Sequence, residues 1–206
     1  MLIKAIVALS LTGTLLASSQ ESKIDTRDSQ EKELTIDMLQ EGGNVIYFRH
    51  AKTERDYADQ VSADPNNCAT QRVLSEEGWN DALRIGEAFR RLAIPVGDVL
   101  SSQYCRAWKT ASLAFGKYAK NADFNFLPFE DYTPEQVELM RERVGPYLIQ
   151  SPEAGLNTII VAHDDPFEAV TGIYPEPQGI GFVLRPDGNG GFKILGSVAP
   201  SEWGQF

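Results

Sequence analysis

The chain contains two histidines, His50 and His163, and each directly follows a short apolar, β-favouring run. Val45-Ile46-Tyr47-Phe48 leads through Arg49 into the first, and Thr158-Ile159-Ile160-Val161-Ala162 leads into the second. Arg106 lies just beyond a third run, Val99-Leu100-Ser101-Ser102. Strand ends that bring Arg49, His50, Arg106 and His163 to one concave spot suit a phosphoryl group. Guanidinium forks bind its oxygens bidentately, and a neutral imidazole nitrogen can attack phosphorus. Taken singly, a histidine is more often a satisfied structural group and an arginine a surface ion-pair partner. The inference therefore rests on the recurrence at strand ends, where open α/β sheets keep their active sites.

Positioning these residues calls for strands alternating with helices. A short helix capped by Thr35 runs through Leu39 to Gly42-Gly43 and feeds the first strand. After His50 comes a long irregular segment from Lys52 to Thr70. Leu74-Ser75-Glu76-Glu77-Gly78 then opens a helix whose apolar positions Trp79, Ala82, Leu83, Ile85, Gly86, Phe89 and Leu92 predict a face packed on the sheet. The 99–102 strand runs into a further helix to about Phe115, and Phe124-Asn125-Phe126-Leu127 reads as an edge or short strand. Thr133-Pro134-Glu135 starts another helix with proline in its first turn. The runs Phe182-Val183-Leu184 and Phe192-Lys193-Ile194-Leu195 flank the turn cluster 186–191 and predict an antiparallel hairpin. The expected fold class is α/β: three layers, a mostly parallel sheet flanked by helices, with a C-terminal antiparallel hairpin.

Lys4, the apolar run from Ala5 and the small residues Ala17-Ser18-Ser19 have the order of a secretory signal, expected to span 1–19. Residues 20–33 are polar and charged, a flexible leader. The catalytic domain is then 34–206. The apolar run is too short for a membrane span, so no stable anchor is expected after cleavage, and the location is periplasmic or secreted. A net charge of -10 over 206 residues argues against nucleic-acid or anionic-membrane partners.

Arg49-His50-Ala51, Leu74-Ser75-Glu76-Glu77-Gly78, the stretch from Leu100 to Ala111 and Val161-Ala162-His163-Asp164 together resemble the ordered motifs of the histidine phosphatase superfamily, the phosphoglycerate mutase-like group. The resemblance covers the chain from about Asn44 to at least Val170. It implies that His50 is the nucleophile that becomes phosphorylated, and that Arg49, Arg106 and His163 hold the phosphoryl oxygens. It implies Glu130 as proton donor to the leaving group, with Asp164 as the alternative used in another branch, and it calls for no metal ion or cofactor. Three positions depart from the pattern. Gln103 stands where proline is common, Lys109 where glutamine or glutamate is usual, and Ala51 where glycine is frequent. Lys109 is expected to alter the pocket rim. Thr53, Arg55 and Arg72 read as solvated loop residues, and Trp79 as core.

Cys68 and Cys105 are the only cysteines. In an exported chain they form a disulfide pinning the long loop beside the site, or remain two buried thiols. The segment from Ala111 to Thr158 is short for a capping subdomain, so an open site is expected. The expected partner is a small-molecule phosphomonoester or an envelope phosphate. The alternative is a catalytically silent phosphate-binding protein on the same scaffold.

Overall fold

The computed structural model describes residues 34–54, 63–128 and 131–206. The expected signal and leader, Arg55 and Glu130 lie outside the described residues. Strands β1 (Val45–Arg49), β2 (Val96–Ser101), β3 (Ala119–Lys120), β4 (Asn157–Ala162), β5 (Gly181–Pro186) and β6 (Phe192–Val198) form one sheet in the order β3-β2-β4-β1-β5-β6. β3, β2, β4 and β1 run parallel, and β5 and β6 add the antiparallel hairpin beside β1. The fold is the expected three-layer α/β/α arrangement with a mostly parallel sheet.

Side-chain alternation along the strands builds the two outer layers. Ile46 and Phe48 of β1, with Ile159 and Val161 of β4, pack under the helices α1 (Ile36–Gln40), α2 (Glu76–Arg91) and α3 (Cys105–Phe115). Val45, Tyr47, Ile160 and Ala162 face the opposite way, against α4 (Pro134–Ile149) and α5 (Asp164–Thr171). Every residue of β1 is buried, as expected of a strand covered on both faces.

Local chemistry sets the helix ends. The Ser75 hydroxyl accepts from the Gly78 N–H to cap α2, and Thr133 with Gln136 forms a capping box at α4, with Pro134 in the first turn. α3 stops at Gly116, whose φ of 69° lies in the left-handed region that glycine adopts without strain. Two other glycines let backbones meet. A Cβ at Gly86 would lie 2.0 Å from the Ala114 carbonyl oxygen, and one at Gly78 would lie 2.0 Å from that of Lys52. α2 thus lies directly against both α3 and the chain that leaves His50.

Two expectations are corrected. Phe124–Leu127 is not a strand. Asn121 accepts from the Asp123 N–H and winds Ala122–Phe124 into a 3-10 turn, and the edge strand is the two-residue β3 just before it. Trp79 and Leu83 lie outside the core, 44% and 47% exposed, one helical turn apart on the outer face of α2. The buried stripe of that helix is Ala82, Ile85, Ala88 and Phe89, together with the small residues Gly78 and Gly86 and the acid Asp81, which pairs with Arg84. Among the described residues, no helix is long and apolar enough to cross a membrane.

Candidate active site

The carboxyl ends of β1, β4 and β2 lie side by side, because these strands are parallel neighbours. The His50 N–H donates to the Ala162 carbonyl at 2.8 Å, which extends the β1–β4 ladder to the residue before His163. Alternation then turns Arg49 toward α5 and both histidines toward the α3 side. The two imidazoles lie with centroids 5.5 Å apart, nearly edge to face.

The hydrogen bonds of His50 define its protonation. Nδ1 lies 2.9 Å from the Ala51 carbonyl oxygen, which can only accept, so Nδ1 carries the hydrogen. Nε2 lies 3.2 Å from Nε of Arg106, which can only donate, so Nε2 carries the lone pair. His50 is thus a neutral imidazole with its lone-pair nitrogen against an arginine. Burial, then the Arg106 guanidinium, hold its pKa well below the usual histidine range, with Arg72 and Arg49 adding in the same direction.

His163 is fixed from its other side. Its Nε2 lies 2.8 Å from the Ser102 hydroxyl. That hydroxyl already accepts from the Tyr104 N–H and lies 2.8 Å from Oδ1 of Asn125. Asn125 Oδ1 also receives the Gln103 N–H, and its amide nitrogen donates to the Gln103 side chain, so Oδ1 must be the carbonyl oxygen. Ser102 therefore gives its proton to Asn125 and accepts from His163. The neutral ring carries hydrogen on Nε2 and the lone pair on Nδ1, which is buried and has no partner among the described residues. Burial first, and Arg106 second, depress this histidine's pKa as well. The hydroxyl of buried Tyr47 donates to the His163 carbonyl and anchors the backbone here.

Arg106 is 4% exposed and sits over the rings of Tyr104 and Phe126, at 5.3 and 5.1 Å from their centroids. Those rings also pack on His163. This corrects the expectation of an open site. Without a capping subdomain, Tyr104 and Phe126 still cover the cluster, and both histidines are 1% exposed.

Arg49 is held by carboxylates. Its Nη2 pairs with Asp164 at 2.6 Å, and its Nη1 pairs with Glu176 at 2.6 Å and donates to the Pro175 carbonyl at 3.0 Å. Asp164 also accepts from the Tyr174 hydroxyl, so this aspartate holds Arg49 and α5 together. The next residue, Asp165, faces Tyr132 instead. Burial and the adjacent Asp164 raise its pKa to about 6.

Beside Arg49 and Arg72 lies a cavity of about 590 Å³, which Lys52, Thr53, Glu54, Glu77, Asp81, Arg84, Glu176 and Gln178 also line. Thr53 is buried, its N–H and hydroxyl facing Gln178, and Arg72 lowers the pKa of both histidines. Neither is the solvated loop residue expected from polarity alone. Lys109 is absent from the cavity lining, and its ammonium lies over Trp108. Gln103 supplies the backbone N–H to Asn125 that proline would lack.

The disulfide is present: Cys68 and Cys105 join the 3-10 turn Cys68–Thr70 to the first residue of α3. Gln71, fully buried, reinforces the link by accepting from the Cys105 N–H at 2.7 Å and donating to the Asp64 carbonyl. The bridge thus connects the segment carrying Arg72 to the helix start carrying Arg106.

No family profile matches the sequence, and no curated protein sequence matches it. Solved structures share its fold. The protein histidine phosphatase SixA, complexed with tungstate, superposes with a TM-score of 0.54 at 12% identity, covering 77% of this chain and 98% of its own. A variant of phosphoserine phosphatase from Entamoeba histolytica, in complex with phosphoserine, gives 0.55 at 12% identity, covering 76% and 97%. Mycobacterial glucosyl-3-phosphoglycerate phosphatase gives 0.53 at 14% identity, covering 74% and 97%.

Proposed function

We propose that the chain is an exported phosphomonoesterase of the histidine phosphatase superfamily, working through a phosphohistidine on His50. The observation that carries this reading is the neutral His50, whose Nε2 lone pair is presented beside Arg106 and His163. The shared fold and the order of the sequence motifs support it.

In the proposed reaction, Arg106 Nε turns from His50 to a phosphoryl oxygen and frees the lone pair. Nε2 attacks phosphorus, the bond to the ester oxygen breaks, and Glu130 gives that oxygen its proton. Water then gives a proton back to the Glu130 carboxylate as its oxygen attacks phosphorus, the P–N bond breaks with its electron pair returning to Nε2, and inorganic phosphate leaves. Burial depresses the His163 pKa first, and the phosphoryl dianion offsets the Arg106 field that adds to it. The unpartnered Nδ1 of His163 can then take a proton and donate to the phosphoryl oxygen. Asp164 is committed to Arg49 and Tyr174, which favours Glu130 as the acid. Export is proposed from the signal-like N-terminus and the disulfide, a bond that persists in oxidising compartments. Phosphorylated sugars or other envelope phosphates suit that location.

The test is steady-state hydrolysis of an aryl phosphate and a panel of sugar phosphates by the mature protein across pH. Turnover is expected without added metal. Attack requires neutral His50, so activity falls as pH drops through the nucleophile's pKa. Because that pKa is depressed, the acid limb is expected below about 6.5, the ordinary histidine value. Phosphate binding without turnover at any pH would instead support a silent binding protein.

A further inference from the structure

Glu176 lies in a Pro-Glu-Pro segment after α5, and its carboxylate occupies Nη1 of Arg49 at 2.6 Å. The arginine side chain is 6% exposed and the glutamate side chain 65%, so the acid closes the cavity-facing end of a buried cation. Around the same cavity Lys52 pairs with Glu77, and Arg84 with Asp81 at 2.7 Å. Arg49, Lys52 and Arg84 are thereby each matched by a carboxylate of the lining. Glu54 is a further lining acid, with no ion pair among the described residues. Among the described residues, no aromatic side chain lines this space. Carboxylates together with Thr53, Gln178 and Ser201 offer hydrogen-bond partners to hydroxyl groups.

We infer that Glu176 is a specificity-determining residue that, by holding Nη1 of Arg49, selects uncharged, hydroxyl-bearing leaving groups and rejects those carrying a carboxylate near the phosphate. The inference rests on the phosphatase reading above and names the substrate class of that site. An acidic leaving group would have to displace Glu176 from Arg49 and then lie beside it, two like charges in a partly buried space. A polyol leaving group meets neither cost, because its hydroxyls donate to the lining carboxylates. Removing the Glu176 charge frees one guanidinium donor for a leaving-group carboxylate and abolishes the repulsion.

Glycerol 3-phosphate and 3-phosphoglycerate form a matched pair of probes, differing by a hydroxymethyl group in place of a carboxylate. The unmodified protein is expected to favour glycerol 3-phosphate in kcat/KM. Glu176→Gln is expected to shift the ratio toward 3-phosphoglycerate by about tenfold, the low end of what a hydrogen bond to a charged group is worth. Glu54→Gln changes the cavity charge equally without touching Arg49, and is expected to shift the ratio less than about twofold. Thermal melting of both variants checks that the fold is retained. An unchanged ratio in folded Glu176→Gln, or equal shifts in the two variants, overturns the inference. Failure of the unmodified protein to hydrolyse either probe or an aryl phosphate removes the phosphatase reading, and this inference with it. Hydrolysis of the aryl phosphate with no preference between the two probes overturns the inference alone.

Discussion

His50→Ala is expected to lower kcat for aryl phosphate hydrolysis by about 10⁴-fold or more, the scale seen when a covalent nucleophile is removed. The expectation follows from how completely the structure commits this side chain. Its Nδ1 hydrogen is fixed by the Ala51 carbonyl and its Nε2 lone pair faces Arg106. Ser102 is engaged by His163, Tyr104 and Asn125, and no free cysteine is present. In the proposed reaction the Nδ1 of His163 takes a proton and donates to a phosphoryl oxygen, so it does not serve as a second nucleophile. The substitution leaves a cavity beside Arg106 and takes the acceptor from its Nε, so some loss of stability is expected and must be separated from the loss of rate. A circular dichroism spectrum and melting curve check that, and steady-state kinetics check the rate. Comparable turnover by the two proteins would remove His50 from the mechanism.

The second large effect concerns stability. Cys68 and Cys105 are 37 residues apart in sequence, and in the chain-entropy model a closed loop of that size contributes about 4 kcal/mol. Cys68→Ser with Cys105→Ser is therefore expected to lower the unfolding free energy by about that amount, and Tm by roughly 10 °C for a domain of this size. Denaturant unfolding of the double variant, with the unmodified protein under reducing and non-reducing conditions, reads it directly. The position of the bridge adds a functional consequence. It ties the segment carrying Arg72 to the residue before Arg106, with Gln71 as the remaining link. Activity is expected to fall at temperatures where the double variant is still folded. A stability change well under 1 kcal/mol would mean that the Gln71 contacts and the packing of α3 already hold this region.

The sequence showed most of what lies on the strands. An apolar run that ends in arginine and histidine forecast β1, and a matching run forecast β4. Parallel pairing then had to bring His50 and His163 together. The stretch 74–78 and the Pro134 that follows Thr133 forecast two helix starts, and the turn cluster at 186–191 forecast the hairpin. What escaped depends on long-range contacts. Asn125 looked like part of a short strand, although its amide fixes the tautomer of a histidine 38 positions further along. Glu176 sits between two prolines with no local pattern, and only folding places it on Arg49. Trp79 and Leu83 fit the periodicity of α2, but helical spacing does not say how wide the buried stripe is, and close approach at Gly78 and Gly86 turned them outward. Polarity made Thr53 and Arg72 look solvated, whereas the return of the chain past β1 brings both to the cavity.

The central claim is covalent transfer of phosphate to His50, and trapping that intermediate tests it most directly. The mature protein would be mixed with a fast-leaving aryl phosphate, quenched in alkali to preserve a P–N bond, digested, and mapped by mass spectrometry. The expected result is one phosphoryl group on His50, absent from His50→Ala and lost on brief acid treatment. Turnover with no phosphoryl group on His50, or phosphate found instead on a serine or aspartate, would contradict the account.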